Sequence, residues 1–287
     1  MRTDNPRIAA VVVTYNRLSM LKDCLQSIKN QTYSNFDIIV VNNGSTDGTE
    51  EYLAAQKDLV VINQENCGGA GGFFSGMKYM INNNYDALWM MDDDGLPDKV
   101  QLEKLIKYSL EYNIDYANAL VLDRNDRKTI LLSPKYLSKL DGCKDVMFGS
   151  VLPFNGTYVW RDVIEKVGLI KKEMFIWGDE REYTARVRSY DFKTATVKSA
   201  IHYHPPFKGE WRNILPFIKK GKVMLKTPPR DKLFYRNIGY IDKTYGQHDG
   251  LKFILFFLFR LNFQKLRYFL KFYMMGRKDD FSVNLIG

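Results

Sequence analysis

Cysteine is scarce in this chain: Cys24, Cys67 and Cys143 are the only three among 287 residues, far apart and in no CxxC pair. No disulfide framework can be built from that spacing, and a reducing compartment is expected. Histidine is equally rare, with His202, His204 and His248 the full complement. Long hydrophobic runs are missing too. The N-terminal run Ile8–Val13 is too short for a signal-peptide core, and Phe253–Phe259 falls far short of the about twenty residues that span a bilayer. The protein is therefore expected to be made and kept in the cytoplasm. Glycine (20) and proline (9) are at ordinary levels, which excludes collagen-like and low-complexity chains, and 45% hydrophobic content excludes a disordered one. The length suits one large domain, or one domain with an appendage.

Acidic residues are scarce in one region only. Residues 1–204 carry 25 Lys+Arg and 27 Asp+Glu, a net charge of −2, whereas residues 205–287 carry 17 and 6, a net charge of +11. The overall +9 thus belongs to the last 83 residues, where it suggests an anionic partner: lipid, nucleic acid or a phosphorylated substrate.

What is abundant is an alternation of short apolar strands with helical segments. Ile8–Val13 reads as a strand buried on both faces, and Leu18, Leu21, Cys24, Leu25 and Ile28 then recur at helical spacing. A second strand, Asp37–Val41, runs into the turn Asn42-Asn-Gly-Ser-Thr-Asp-Gly-Thr49 and a polar helix. Leu59–Ile62 is a third strand. It precedes the glycine cluster 68–72 and a helix around Phe74–Ile81, and a fourth strand, Ala87–Met91, ends in Asp92-Asp93-Asp94. This order predicts an α/β fold, a Rossmann-like and mainly parallel sheet flanked by helices, with ligands at the carboxyl ends of the strands. An irregular segment is expected over residues 123–153. Five prolines between 205 and 230 place the end of the first domain at 206, with a basic helical region at 207–287.

Three clusters carry candidate chemistry. In the aspartate triplet, alternate side chains of an extended chain point the same way, so Asp92 and Asp94 are placed to share a divalent cation while Asp93 faces elsewhere. The competing explanation is a solvated acidic turn at the start of a helix near Pro97. Asp179, Glu180 and Glu182 follow Trp177 at a helix start, where carboxylates serve either the helix dipole or general-base catalysis. His202 and His204 fall on one face of a strand, as metal ligands or as hydrogen-bonded core residues. The glycine cluster does not match GxGxxG; it allows close approach of a ligand, or of a helix to a sheet.

Taken in order, Val11-Val-Val-Thr-Tyr-Asn-Arg17, Val41-Asn-Asn-Gly-Ser-Thr-Asp-Gly-Thr49, Asn66-Cys-Gly-Gly-Ala-Gly-Gly-Phe73, Trp89-Met-Met-Asp-Asp-Asp94 and Trp177-Gly-Asp-Glu-Arg-Glu-Tyr183 resemble the inverting family 2 glycosyltransferases of GT-A fold. The galactofuranosyltransferases are the most similar branch, with rhamnosyltransferases nearby, and the resemblance covers about residues 7–206. It implies a nucleotide-sugar donor, a divalent metal (Mn or Mg) at the pyrophosphate, and single displacement with inversion. Carried over by position, Thr14, Asn16, Arg17, Asn43, Gly69 and Asp93 would contact the donor, with Asn43 standing where many relatives have Asp. Asp92, Asp94 and His204 would bind metal, with His202 the competitor for the third place. Glu180 occupies the catalytic-base position, where relatives commonly carry Asp, and Asp179 is the alternative. Phe154-Asn155-Gly-Thr-Tyr158, Trp160 and Trp177 would border the acceptor. The implied donor is UDP-galactofuranose, then deoxythymidine-diphosphate rhamnose or another UDP-hexose; the acceptor is a growing cell-surface polysaccharide or a lipid-linked glycan.

The basic tail is expected to form one amphipathic helix over residues 251–275, with Lys252, Arg260, Gln264, Arg267 and Lys271 on one arc and a largely Phe, Leu, Ile, Tyr and Met remainder. It would either lie in the inner face of the cell membrane or dock its apolar side on the protein. Basic residues interleaved with apolar runs suit lipid better than a phosphate backbone, so nucleic acid is not expected as a partner.

Overall fold

The computed structural model describes residues 2–131, 140–149, 155–206, 209–215 and 221–283. The chain forms two compact units, the first from 1–172 and 186–206, the second from 173–185 and 207–287. The division expected after residue 206 is one of the crossing points, but residues 173–185 belong to the second unit.

In the first unit, the β-branched run forms β1 (Ile8–Thr14), every residue of which is buried. It is flanked by β2 (Phe36–Asn42) and β4 (Ala87–Asp92), with β3 (Leu59–Asn63) beyond β2, and all three pairings are parallel. Between them run α1 (Leu18–Lys29), α2 (Thr49–Ala54) and α3 (Gly68–Asn82). α1 buries Leu21, Cys24, Leu25 and Ile28, the stripe its spacing predicts. The sheet continues from β4 through β8 (Asn155–Trp160), β6 (Tyr116–Asp123) and β9 (Thr194–His204) to the two-residue β5 (Leu96–Pro97), with β7 (Val146–Phe148) also on β9. In this half β8 is antiparallel to both neighbours and β6 is parallel to β9. α4 (Gln101–Glu111) and α5 (Arg161–Val167) complete the unit.

Two local expectations change. The helix expected around Phe74–Ile81 begins at Gly68, so the glycine cluster is its first turn. A Cβ on Gly72 or Gly76 would lie 2.4 or 2.3 Å from Val13 or Val11, so these glycines let the helix rest directly on β1. The helix expected near Pro97 begins at Gln101 instead, because Leu96 and Pro97 are drawn into the sheet as β5. The expected irregular segment 123–153 contains β7, and its residues 132–139 and 150–153 lie outside the described residues, as do Phe154 and Pro216.

The second unit contains the start of α6 (Asp179–Ser189), a hairpin of β10 (Glu210–Asn213) and β11 (Lys222–Leu225), and α7 (Asp231–Tyr245), α8 (Asp249–Leu258) and α9 (Phe263–Arg277). The hairpin occupies part of the region expected to be helical. The single tail helix is instead two, separated by Phe259–Asn262, with Leu261 in the left-handed region (φ 52) and Asn262 capping α9 through the Lys265 amide. Phe253, Phe256, Phe257, Phe269, Phe272 and Tyr273 from the two helices form a core with Tyr235 and Ile238 of α7. Much of the apolar surface expected to face lipid is therefore internal to this unit. Among the described residues, no helix is long and apolar enough to cross a membrane.

Candidate active site

The first cluster stands at the carboxyl ends of adjacent strands, where Val13 pairs with Asp92 and Thr14 with Asn42. β5 brings in the last member. Leu96 pairs with Tyr203 and Pro97 with His202, which returns the chain after the aspartate triplet alongside the end of β9 and delivers His204. Asp92, Asp94 and His204 each offer a ligand atom within 4.8 Å of the others. His204 Nδ1 lies 2.6 Å from the Pro205 carbonyl, to which it donates, so Nε2 faces Asp94 Oδ1 at 3.2 Å. In neutral imidazole that nitrogen is a lone pair opposite a carboxylate oxygen, an arrangement that needs either a proton or a cation. Burial lowers the His204 pKa, but the hydrogen bond and charge of Asp94 outweigh it and leave it raised, while Asp94 is correspondingly lowered despite its own burial. Two carboxylates and one oriented imidazole fit a divalent cation.

Asp93 points the other way, into the protein. It accepts hydrogen bonds from Thr14 Oγ1 at 2.7 Å and Arg17 at 3.1 Å, and Arg17 also reaches Asp94 at 2.7 Å. Burial raises the Asp93 pKa to about 6 against the pull of Arg17 and Thr14. His202, the competitor for the metal, is fully buried and outside the group. Its Nδ1 is 3.2 Å from Gln101 Nε2, and burial drives its pKa down to about 3, so it is a neutral core histidine. Gly95 makes room for it, since a Cβ there would stand 2.1 Å from His202 Nε2. Gln101, which also accepts from the Trp89 indole, escaped sequence inspection because nothing in its surroundings marks it as buried.

The remaining donor candidates divide. Asn16, at φ 53, accepts from the Thr46 amide at 2.7 Å through its side chain and donates its backbone amide to Ser45 Oγ, joining the loop after β1 to the turn after β2. Asn43 is buried, with its carboxamide fully engaged. Its oxygen accepts from Gln64 Nε2 and the Cys67 amide, and its nitrogen donates to the Gly68 carbonyl and Asn66 Oδ1. An aspartate could not donate those last two bonds, which accounts for Asn here. Gly69, unlike its neighbours, has nothing within 4 Å of a would-be Cβ. Asn155 is buried at the start of β8.

The second cluster lies in the second unit. Phe175 and Trp177 take left-handed backbone (φ 65 and 61), and Gly178 sits at φ 116 just before α6. Such backbone at non-glycine residues persists only when the surroundings hold it. The clamp is Asn237, whose side-chain amide donates to the carbonyls of Met174, Ile176 and Trp177 at 2.9–3.0 Å, with Arg236 donating to Glu173 and Met174. Both are buried on α7, about 60 residues from the loop they shape, and sequence inspection missed them. The clamped loop presents Trp177, Asp179 and Glu180. Burial lifts the Glu180 pKa, opposed by local backbone hydrogen bonds and by the charges of Lys226 and Arg181. Lys226 Nζ stands 4.5 Å over the Trp177 ring. Asp179 is buried, and Glu182 accepts from the Tyr245 hydroxyl at 2.5 Å. A partly buried carboxylate whose pKa is raised by burial is a stronger proton acceptor than an exposed one.

The α/β sheet, mainly parallel over its first half and flanked by helices, is that of the GT-A glycosyltransferases. The family 2 glycosyl transferase model matches residues 9–160, and the chain belongs to that family as a glycosyltransferase. It is 27% identical to the galactofuranosyltransferase GlfT1 of Mycolicibacterium smegmatis, over 96% of this chain and 98% of the relative. Among solved structures, the fold resembles Staphylococcus aureus TarS residues 1–349 in complex with UDP (TM-score 0.57, 15% identity, 96% of this chain and 88% of that one). It also resembles the mannosyltransferase PcManGT of Pyrobaculum calidifontis in complex with GDP-Man and Mn2+ (TM-score 0.55, 16% identity, 98% and 76%).

Proposed function

We propose that the protein is a metal-dependent, inverting galactofuranosyltransferase that moves galactofuranose from UDP-galactofuranose to a hydroxyl of a growing polysaccharide or lipid-linked glycan. The observation that carries the chemistry is the grouping of Asp92, Asp94 and the oriented His204 imidazole; the sugar is chosen from the galactofuranosyltransferase relative, which matches nearly end to end. Mn2+ or Mg2+ bound by these three residues would supply positive charge to the departing diphosphate. Glu180 takes the proton of the acceptor hydroxyl as its oxygen attacks the anomeric carbon and the bond from that carbon to the diphosphate oxygen breaks. Thr14 and Arg17 hold Asp93 away from the cation group, while Arg17 keeps Asp94 ionised and aimed. Asn16 and Asn43 act by shaping the loops that border the donor, Gly69 leaves space for it, and Asn155 and Trp177 face the acceptor. The enzyme works in the cytoplasm at the inner surface of the membrane, its basic C-terminal unit toward lipid.

A donor panel tests this reading. With a lipid-linked acceptor, nucleoside diphosphate release is expected from UDP-galactofuranose, to stop on chelation and to return with Mn2+ or Mg2+. Faster release from deoxythymidine-diphosphate rhamnose would reassign the donor, and release undiminished by chelator would remove the metal.

A further inference from the structure

Of the eight large apolar side chains exposed among the described residues of the second unit, Trp211, Leu251, Tyr268 and Met274 stand apart, while the other four are concentrated at one place. Leu258, Phe259, Leu261 and Phe263 are 40%, 55%, 75% and 55% exposed, all within six residues at the break between α8 and α9. The break is held rigidly. Arg260, alone in that stretch in turning inward, lies with its guanidinium 3.8 Å from the Phe256 ring centre and donates to the carbonyls of Asn213 and Ile214 in the hairpin segment. Exposed large apolar side chains concentrated on one turn mark an interaction surface rather than a chance remainder. The next turns of α9 expose Lys265, Arg267, Tyr268 and Lys271, and no described carboxylate lies within ion-pair distance of the three cations. No acidic residue occurs between Asp249 and Asp279.

We infer that the α8–α9 elbow is a membrane wedge: Phe259, Leu261 and Phe263 insert among the acyl chains of an anionic phospholipid bilayer, and Lys265, Arg267 and Lys271 bind its headgroup phosphates. The inference rests on the proposal that the enzyme works at a membrane and replaces the expected mode, a helix lying lengthwise in the interface, since that helix is broken and its apolar side is largely internal. Charge argues for lipid over a second copy of the chain, because a twofold contact through the elbow would bring the two cationic fringes together.

Vesicle co-sedimentation of the full-length protein decides the matter, using phosphatidylglycerol–phosphatidylcholine vesicles against phosphatidylcholine alone. Wild type is expected to bind the anionic vesicles with strong salt dependence. The F259S/L261S/F263S variant should lose at least about tenfold in affinity. The K265Q/R267Q/K271Q variant should lose about fivefold per charge and, with it, the preference for anionic lipid. All six side chains are exposed, so thermal unfolding and turnover on a soluble acceptor should not change. A Leu261→Trp probe should shift to the blue and be quenched by lipids labelled in the acyl chain, which adsorption by charge alone does not produce. Wild-type binding matched by the Ser variant would overturn the wedge and leave membrane association standing; absence of binding by wild type would overturn both. A dimer that the Ser variant dissolves, without vesicle binding, would assign the elbow to a second copy.

Discussion

At the residue scale, the candidate base depends on a neighbour that is distant in sequence. Glu180 carries a raised pKa because its site is desolvated, and the cation at Lys226 is one of the influences that limit the rise. The cations acting on it are Lys226 and Arg181. Lys226 is itself lowered by burial, with the charge of Glu180 acting in the opposite direction. Lys226→Met removes a positive charge, so the Glu180 carboxylate should protonate at higher pH. The acid limb of the kcat/KM profile, where the base is lost to protonation, then moves upward in pH while activity on the alkaline plateau holds. Lys226→Arg should return the limb to its original position. A purely structural Lys226 would lower activity at every pH and leave the limb where it was.

At the scale of elements, β1 to β4 and α1 were legible because continuous β-branched runs and a 3.6-residue apolar stripe are unambiguous patterns. The start of α3 was not legible, since a run of small residues reads equally as a loop. Only the packing of Gly72 and Gly76 against Val13 and Val11 shows why the helix needs them. These glycines make opposite predictions from Gly69. Gly76→Ala should cost about 1–3 kcal/mol of stability in denaturant unfolding, as overpacking of a tight contact does. Gly69→Ala should be neutral or gain up to about 1 kcal/mol, the usual helical preference for Ala, while donor affinity falls. Equal destabilisation by both would mean that Gly69 also serves packing. The break after α8 was hidden for a related reason: neither Gly nor Pro marks it, and Leu261 adopts the left-handed turn itself. Asp92 and Asp94 were expected together from the alternation of an extended chain; they do come together, but β4 ends at Asp92 and Asp93–Asp94 form a turn. The neutral state of His202 follows from burial, which only the tertiary structure shows.

At the scale of the whole molecule, charge and chemistry divide along the chain. The positive excess lies in residues 205–287, and the same unit holds the Trp177–Glu180 loop through Arg236 and Asn237. Removing the tail is accordingly no probe of membrane binding. It would strip Phe253, Phe256, Phe257 and Phe269 from a shared core, at about 1.5–3 kcal/mol each, and with them the support of α7 and the loop it clamps. The proposed chemistry assigns proton removal to Glu180, and that assignment is its central claim. The direct measurement is nucleoside diphosphate release by purified Glu180→Gln at saturating donor, acceptor and metal, with donor binding measured on the same sample. Turnover should fall by at least about a hundredfold, with donor affinity and metal dependence intact. Near-normal turnover in Glu180→Gln, with the loss appearing in Asp179→Asn instead, would contradict the assignment.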